Sequence, residues 1–248
     1  MLNEIKMHAL LSNQTHLVPR YFQSWVEEGS IFLVTELMDG NLASLNKSKV
    51  LSEEELLKVV EDVASCLEVM HRNSIVHFDI KPANILLKEQ SNGDLLFKLG
   101  DLGLSFSLKE LRPDMANFHG EGDARYLARE ILNLEDLGEH RDEILKKGDI
   151  FSLGISLFEL MERTRLELNG VEWNQLRSGQ FQFSKRTRET YSGALLDLVA
   201  QLMHPDHTQR PFASEILSNP IFGVGPLSKE KQEVVRQIQQ LQLKLSLL

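Results

Sequence analysis

Two runs rich in aromatic and β-branched residues, Tyr21 to Glu27 and Ser30 to Leu37, meet at Glu28-Gly29 and so predict a short β-hairpin. No other feature constrains the fold as much, because a two-stranded hairpin by itself is marginal in water. Its partners must come from elsewhere in the chain or be lacking, and an uncovered strand edge predicts poor solubility. Just before it, Ile5, Ala9 and Leu10 recur at helical spacing up to the Ser12-Asn13-Gln14 break, which predicts that the chain begins within a helix.

After the hairpin the apolar period changes. Ser52 followed by Glu55 is a capping box, and Leu56, Val60, Val63, Leu67 and Met70 then form one apolar stripe, which predicts a helix. Two short apolar runs, Ile85 to Leu87 and Leu95 to Leu99, flank a Ser91-Asn92-Gly93-Asp94 turn and predict a second hairpin. From Asp101 to Glu130 the periodicity is poor and Pro113, Gly120 and Gly122 interrupt it, so this stretch reads as a long loop, a feature usually functional or disordered. Asp149 to Met161 is apolar on nearly every side and predicts a buried helix, with further helices around Gly193 to Met203 and Ala213 to Leu217. Beyond Phe222, Val234, Ile238, Leu241, Leu245 and Leu248 suit an amphipathic helical tail. Packing back on the domain and weak self-association through a coiled-coil seam are both open for that tail.

Of the 248 residues 42% are hydrophobic and 25% charged, enough to bury a core, which excludes disorder, collagen and rod-like coiled coils. A net charge of -9, from 27 basic and 36 acidic residues, argues against nucleic acid as a main partner. Cys66 is the single cysteine, so no internal disulfide or cysteine-built zinc cluster forms, and a reducing intracellular compartment is expected. The opening Met-Leu-Asn-Glu lacks the apolar stretch of a signal peptide, and no run approaches the roughly 18 apolar residues of a membrane span. A soluble protein without membrane partners is the expectation.

The chemistry concentrates in His77-Phe78-Asp79-Ile80-Lys81-Pro82-Ala83-Asn84, followed by Asp101-Leu102-Gly103 and Ala128-Arg129-Glu130. Either Asp79 or Asn84 alone would more often be a turn-forming residue; the ordered set makes that improbable. For phosphoryl transfer the residue types make physical sense. A carboxylate at Asp79 can orient an acceptor hydroxyl and take its proton. Lys81 places a cation where negative charge spreads in the transition state. Asn84 and Asp101 offer hard oxygen ligands suited to Mg²⁺.

This set resembles the catalytic loop, metal-binding triplet and activation-segment end of the protein kinase family over residues from about Glu4 to Phe222. The resemblance implies an α+β, protein-kinase-like fold with a mainly helical C-terminal lobe, a truncated N-terminal β lobe, and ATP and Mg²⁺ as cofactors. It divides the chain into residues 1–38 as the N-lobe remnant, 39–222 as the C-lobe and 223–248 as the tail. It further implies that Thr35 lies at the back of the adenine pocket, that Glu36 to Met38 form the hinge pairing with adenine, and that Leu86 is the apolar floor. His77 is expected to be structural. Glu130 and Arg210 match a buried ion pair, and Asp149, opening the buried helix, matches an acceptor for the catalytic-loop backbone.

Within the family, several features resemble the Wee/Myt group: Phe78 where Arg commonly precedes the catalytic Asp, Asp-Leu-Gly at 101–103, the segment Glu121 to Ala128 with Asp123 where Thr is usual, and Gly170-Val171-Glu172-Trp173-Asn174-Gln175-Leu176-Arg177-Ser178-Gly179. Trp173 is equally readable as an ordinary helix-packing aromatic. Between Leu104 and Leu127 the hydroxyl side chains are Ser105, Ser107 and Tyr126, none at a mid-loop switch position, so no loop phosphorylation is expected. The group implies inhibitory tyrosine phosphorylation of a cyclin-dependent kinase at mitotic entry, in nucleus or cytoplasm. A serine/threonine kinase outside the group, for which Lys81 is the usual residue, and a non-catalytic scaffold are the alternatives.

Glu4 matches the helix Glu that pairs with a strand Lys on the ATP phosphates, yet only Met1, Leu2 and Asn3 precede it, so neither that Lys nor a Gly-rich loop is present in this sequence. Lys6 lies downstream on the same helix and is no substitute. The chain is then either a piece of a longer active enzyme or a natural truncation, with weak activity expected of it alone.

Overall fold

The computed structural model describes residues 2–110, 122–132 and 140–223. Met1–Leu217 forms one unit and Ser218–Leu248 a second. Of the second, residues 218–223 are described, with a 3-10 turn at Pro220–Phe222 whose Ile221 amide donates to the Asn219 side chain at 3.0 Å. Pro113, Gly120, Glu121 and the tail positions Val234 to Leu248 lie outside the described residues.

Strands gather toward the N-terminal side of the first unit, and beyond them it is mostly helical. Helix α1 (Leu2–Leu11) turns Met7, His8 and Leu11 inward. Leu10 of the triplet that signalled this helix is 41% exposed, because the helix seats on the neighbouring face. Strands β1 (Tyr21–Glu27) and β2 (Ser30–Thr35) pair antiparallel as a two-stranded sheet. Glu28 and Gly29 both take positive φ, 49° and 79°, the geometry whose twist matches a two-residue hairpin. Trp25 and Phe32 face each other across it with ring centroids 5.1 Å apart, yet Phe22, Trp25, Val26 and Phe32 are all exposed.

A second sheet orders β3 (Gly40–Asn41), β5 (Ile85–Glu89) and β6 (Leu95–Leu99) as β3-β5-β6, all antiparallel. Helix α2 (Leu42–Ser48) follows β3 and is capped by Asn41. Helix α3 (Glu53–Arg72) begins at the Ser52–Glu55 capping box, with both reciprocal bonds formed. Every residue of its sequence stripe is fully buried, each side chain contributing about 1.5–3 kcal/mol by leaving water. Helix α5 (Arg141–Glu162) crosses α3 and packs on α8 (Gly193–Leu202). At Gly154 an added Cβ would stand 2.7 Å from Leu202 Cβ, so glycine is what lets these helices approach. Helix α9 (Ala213–Leu217) also packs on α3.

Two expectations change. Helix α5 begins eight residues before Asp149, because Ile144 and Leu145 already face inward among the charged residues of its first turns, so Asp149 sits inside the helix instead of opening it. The stretch from Asp101 is not plain loop either. It carries 3-10 turns at Leu102–Leu104 and Leu108–Glu110 and a strand β7 (Phe106–Ser107) paired with β4 (Ile75–Val76). Two-residue strands are too short to leave a period, and the partner of β7 lies far back in sequence.

Candidate active site

The loop between β4 and β5, residues 77–84, is held from below by one buried carboxylate. Asp149 Oδ2 accepts the His77 amide at 2.9 Å and Oδ1 the Phe78 amide at 3.0 Å, while His71 Nε2, in the last turn of α3, meets Oδ2 at 3.0 Å. Phe78 has φ of 68°, which costs about 1–3 kcal/mol for a bulky residue. The Asp149 bond and edge-on packing against Phe106, centroids 5.2 Å apart, hold it there. His77 is wholly buried; its Nε2 donates to the Gly100 carbonyl at 3.1 Å and its Nδ1 accepts the Asp79 amide at 3.3 Å. Both ring nitrogens are thus engaged in the neutral form, and burial holds the ring below the usual histidine range.

On that base Asp79, Lys81 and Asn84 converge. Lys81 Nζ reaches both Asp79 oxygens, at 2.9 and 2.7 Å. Asn84 spends its amide hydrogens on the Asp79 carbonyl at 2.9 Å and on Oδ2 at 2.8 Å, which leaves the amide oxygen as the group it can present to a cation. Asp101, exposed and left-handed with φ of 56°, follows β6 and receives the Gly103 amide on Oδ1 at 3.4 Å. Among the described residues no cluster of three His, Cys, Asp or Glu side chains could hold a metal. Mg²⁺ that stays bound to phosphates needs only one or two protein oxygens, so Asn84 and Asp101 fit it. Glu4 faces this region from α1; burial, and then the Asp101 charge, raise its carboxyl above the usual range.

The segment from 122 to 130 lies against the loop. Gly122 leaves little room for a Cβ, which would stand 3.1 Å from the Phe78 carbonyl. Asp123 forks to Arg125; burial opposes its ionisation, but Arg125 outweighs it, with Lys81 a weaker attraction, and the carboxyl stays below the usual range. Trp173, on α6 (Val171–Arg177), donates Nε1 to the Ala124 carbonyl at 3.0 Å. Arg177, stacked 3.9 Å from the Trp173 ring, donates to the carbonyls of Leu127, Ala124 and Arg125 at 2.8–2.9 Å. Trp173 is therefore half of a clamp, more than a packing aromatic. Ser105 and Tyr126 are buried, donating to the His77 carbonyl at 3.3 Å and to Glu159 at 2.6 Å. Glu130 pairs with Arg210 at 2.5 Å; Arg210, 2% exposed, also donates to the His204 carbonyl at 2.7 Å.

Thr35 ends β2, and residues 36–39 run on to β3. Glu36 is hydrogen-bonded both ways with Arg20, amide to carbonyl at 2.8 Å and carboxylate to amide at 3.1 Å, and is paired with Lys98 of β6 at 2.6 Å. Leu86 lies against Gly100, where a Cβ would come 2.5 Å from Leu86 Cδ1. Sequence reasoning missed His71, Lys98 and the reach of Arg177. A lone charge inside the apolar run Leu95-Leu96-Phe97-Lys98-Leu99 was the signal for Lys98, Arg177 stood in the stretch that resembles the Wee/Myt group without its three carbonyl partners being readable, and His71 left no signal.

The protein kinase domain family matches residues 1–222. Among similar proteins are the Wee1-like protein kinase of Drosophila melanogaster, 34% identical over 89% of this chain and 38% of its own length, and the Wee1-like protein kinase of Arabidopsis thaliana, 34% identical over 88% and 40%. The membrane-associated tyrosine- and threonine-specific cdc2-inhibitory kinase wee-1.3 of Caenorhabditis elegans is 32% identical over 88% of this chain and 30% of its own length. The chain thus spans well under half the length of the curated relatives it matches.

Proposed function

Since the chain belongs to the protein kinase family and resembles Wee1-like kinases, we propose that it transfers the γ-phosphate of ATP to a protein hydroxyl, and that the acceptor is an inhibitory tyrosine of a cyclin-dependent kinase. The observation that carries this reading is the convergence of Asp79, Lys81 and Asn84 on a loop fixed by Asp149. Asp79 orients the acceptor hydroxyl and takes its proton on a carboxylate oxygen. Lys81, now on both those oxygens, can turn its ammonium toward the transferring phosphoryl group. Asn84 and Asp101 would hold Mg²⁺, which with ATP supplies the phosphoryl group and neutralises its charge. Glu36 to Met38 would pair with adenine, with Thr35 behind and Leu86 beneath.

The tyrosine acceptor draws on the cdc2-inhibitory relative and on the segments around Asp123 and Trp173 that resemble the Wee/Myt group. Independence of loop phosphorylation draws on buried Phe78 and on the hydrogen-bonded, buried Ser105 and Tyr126. No helix among the described residues is long and apolar enough to cross a membrane.

The test incubates the chain and its Asp79→Asn variant with Mg-ATP and an inactive cyclin-dependent kinase in complex with cyclin, followed by phosphoamino-acid analysis. Phosphotyrosine from the parent chain and none from the variant is expected. Phosphoserine or phosphothreonine alone moves the chain to the serine/threonine alternative. A chain whose effect on its target survives Asp79→Asn is a scaffold.

A further inference from the structure

The segment from Glu36 to Asp39 is gripped from the β5–β6 hairpin by two lysines. Lys98 Nζ, 7% exposed, meets Glu36 Oε2 at 2.6 Å. Lys88 donates to the Leu37 carbonyl at 3.1 Å and to Asp39 at 3.2 Å. The backbone adds the Asp39 amide on the Leu87 carbonyl at 3.0 Å, and the Glu89 amide on Asp39 Oδ2 at 2.9 Å. Among the described residues no hydrogen bond engages the Glu36 carbonyl or the Met38 amide and carbonyl. The grip therefore occupies the Glu36 and Asp39 amides and the Leu37 carbonyl, and leaves an acceptor at 36 and a donor at 38, the alternation that the edge of an adenine can read.

We infer that Lys98 is a positioning residue for nucleotide binding: by pairing with Glu36 it fixes the backbone groups of residues 36 and 38 that pair with adenine, and it does so from the strand that leads through Gly100 to Asp101. The inference rests on the kinase reading above. Lys98 does not touch the nucleotide; it acts through Glu36. Burial alone would push the Glu36 carboxyl up, yet Lys98, the Arg20 amide and the more distant Lys88 outweigh it and hold it below the usual carboxylate range. Lys88 and Asp39 are more exposed, 34% and 42%, so their pair contributes less. Without Lys98, the Glu36 carboxylate keeps one amide donor and gains by turning to water, which releases the backbone between β2 and β3.

The test titrates the full chain with fluorescent mant-ATP and Mg²⁺ and displaces it with adenosine and, separately, with Mg-tripolyphosphate. Lys98→Met is expected to weaken adenosine about tenfold and leave tripolyphosphate unchanged, with Lys98→Arg restoring adenosine to within about threefold. A Lys185→Met control, at a lysine 84% exposed and paired only loosely with Glu189 one turn on, is expected to change neither. Equal weakening of both competitors in Lys98→Met, in step with its melting temperature, reduces Lys98 to a structural residue and overturns the inference, as does unchanged adenosine affinity. A parent chain that binds neither mant-ATP nor adenosine instead removes the nucleotide reading, and this inference falls with it.

Discussion

The loop of residues 77–84 and the β1–β2 hairpin sit in one unit and are stabilised in opposite ways. The loop has little regular structure, yet it is buried and fastened from distant elements: by Asp149 on α5, itself met by His71 on α3, and by Gly100 after β6. The hairpin has good strand geometry and a proper turn, yet its aromatic pair and its neighbours Phe22 and Val26 lie exposed. Regular backbone pairing therefore says little about how firmly a segment is held; the number of buried polar groups tied across the fold says more.

The largest test of that contrast is Asp149→Ala. It strands two buried amides and a buried histidine nitrogen and should cost about 3–5 kcal/mol in chemical denaturation, with loss of the proposed phosphotransfer. A loss below about 1 kcal/mol would mean the loop is held by packing alone. Arg177→Met comes next, at about 2–4 kcal/mol, because Arg177 satisfies the carbonyls of three consecutive or near-consecutive residues from a buried position. Burial depresses this guanidinium to about 10, still charged at neutral pH. Fast hydrogen exchange over residues 122–130 in a folded variant is the accompanying sign.

The third is a pH dependence. Burial holds His8 and His77 below the usual histidine range, so below about pH 6.5 the unfolded chain binds protons that the folded chain refuses. Stability contributed by these groups is then present at neutral pH and lost as pH falls below about 6.5, by at most about 1.4 kcal/mol per unit for each. Among the described residues the Nδ1 of His8 is buried without a hydrogen-bond partner, so His8→Leu should flatten the decline between pH 7 and 5.5 by about half. Parallel stability curves for parent and variant would discard the assignment. The smallest effect belongs to the hairpin. Trp25→Ser with Phe32→Ser should lower stability by about 1 kcal/mol or less while raising solubility, whereas a large loss of stability would show that the exposed face is buried in solution.

How far the sequence could be read follows the same divide. Helix α3 was legible in full, from its capping box to the last residue of its stripe, because both signals are complete within a few residues. Both hairpins were legible from their turns. Strand β7 was not, since two residues carry no period and its partner is β4. At the site, the fold brings Asp79, Lys81 and Asn84 into mutual hydrogen bonds and sets Glu130 on Arg210, while Asp149 is placed differently along its helix than its sequence context suggested.

By itself the sequence determined the local elements and the residue types available for phosphoryl transfer, because helix period, caps and turn geometry depend on neighbours along the chain. Only the tertiary structure decided which charges meet. His71 reaches Asp149 across 78 positions and Lys98 reaches Glu36 across 62. A buried charge takes its partner from whatever the packing of α3, α5 and the β5–β6 hairpin brings beside it, and chain spacing does not encode that choice.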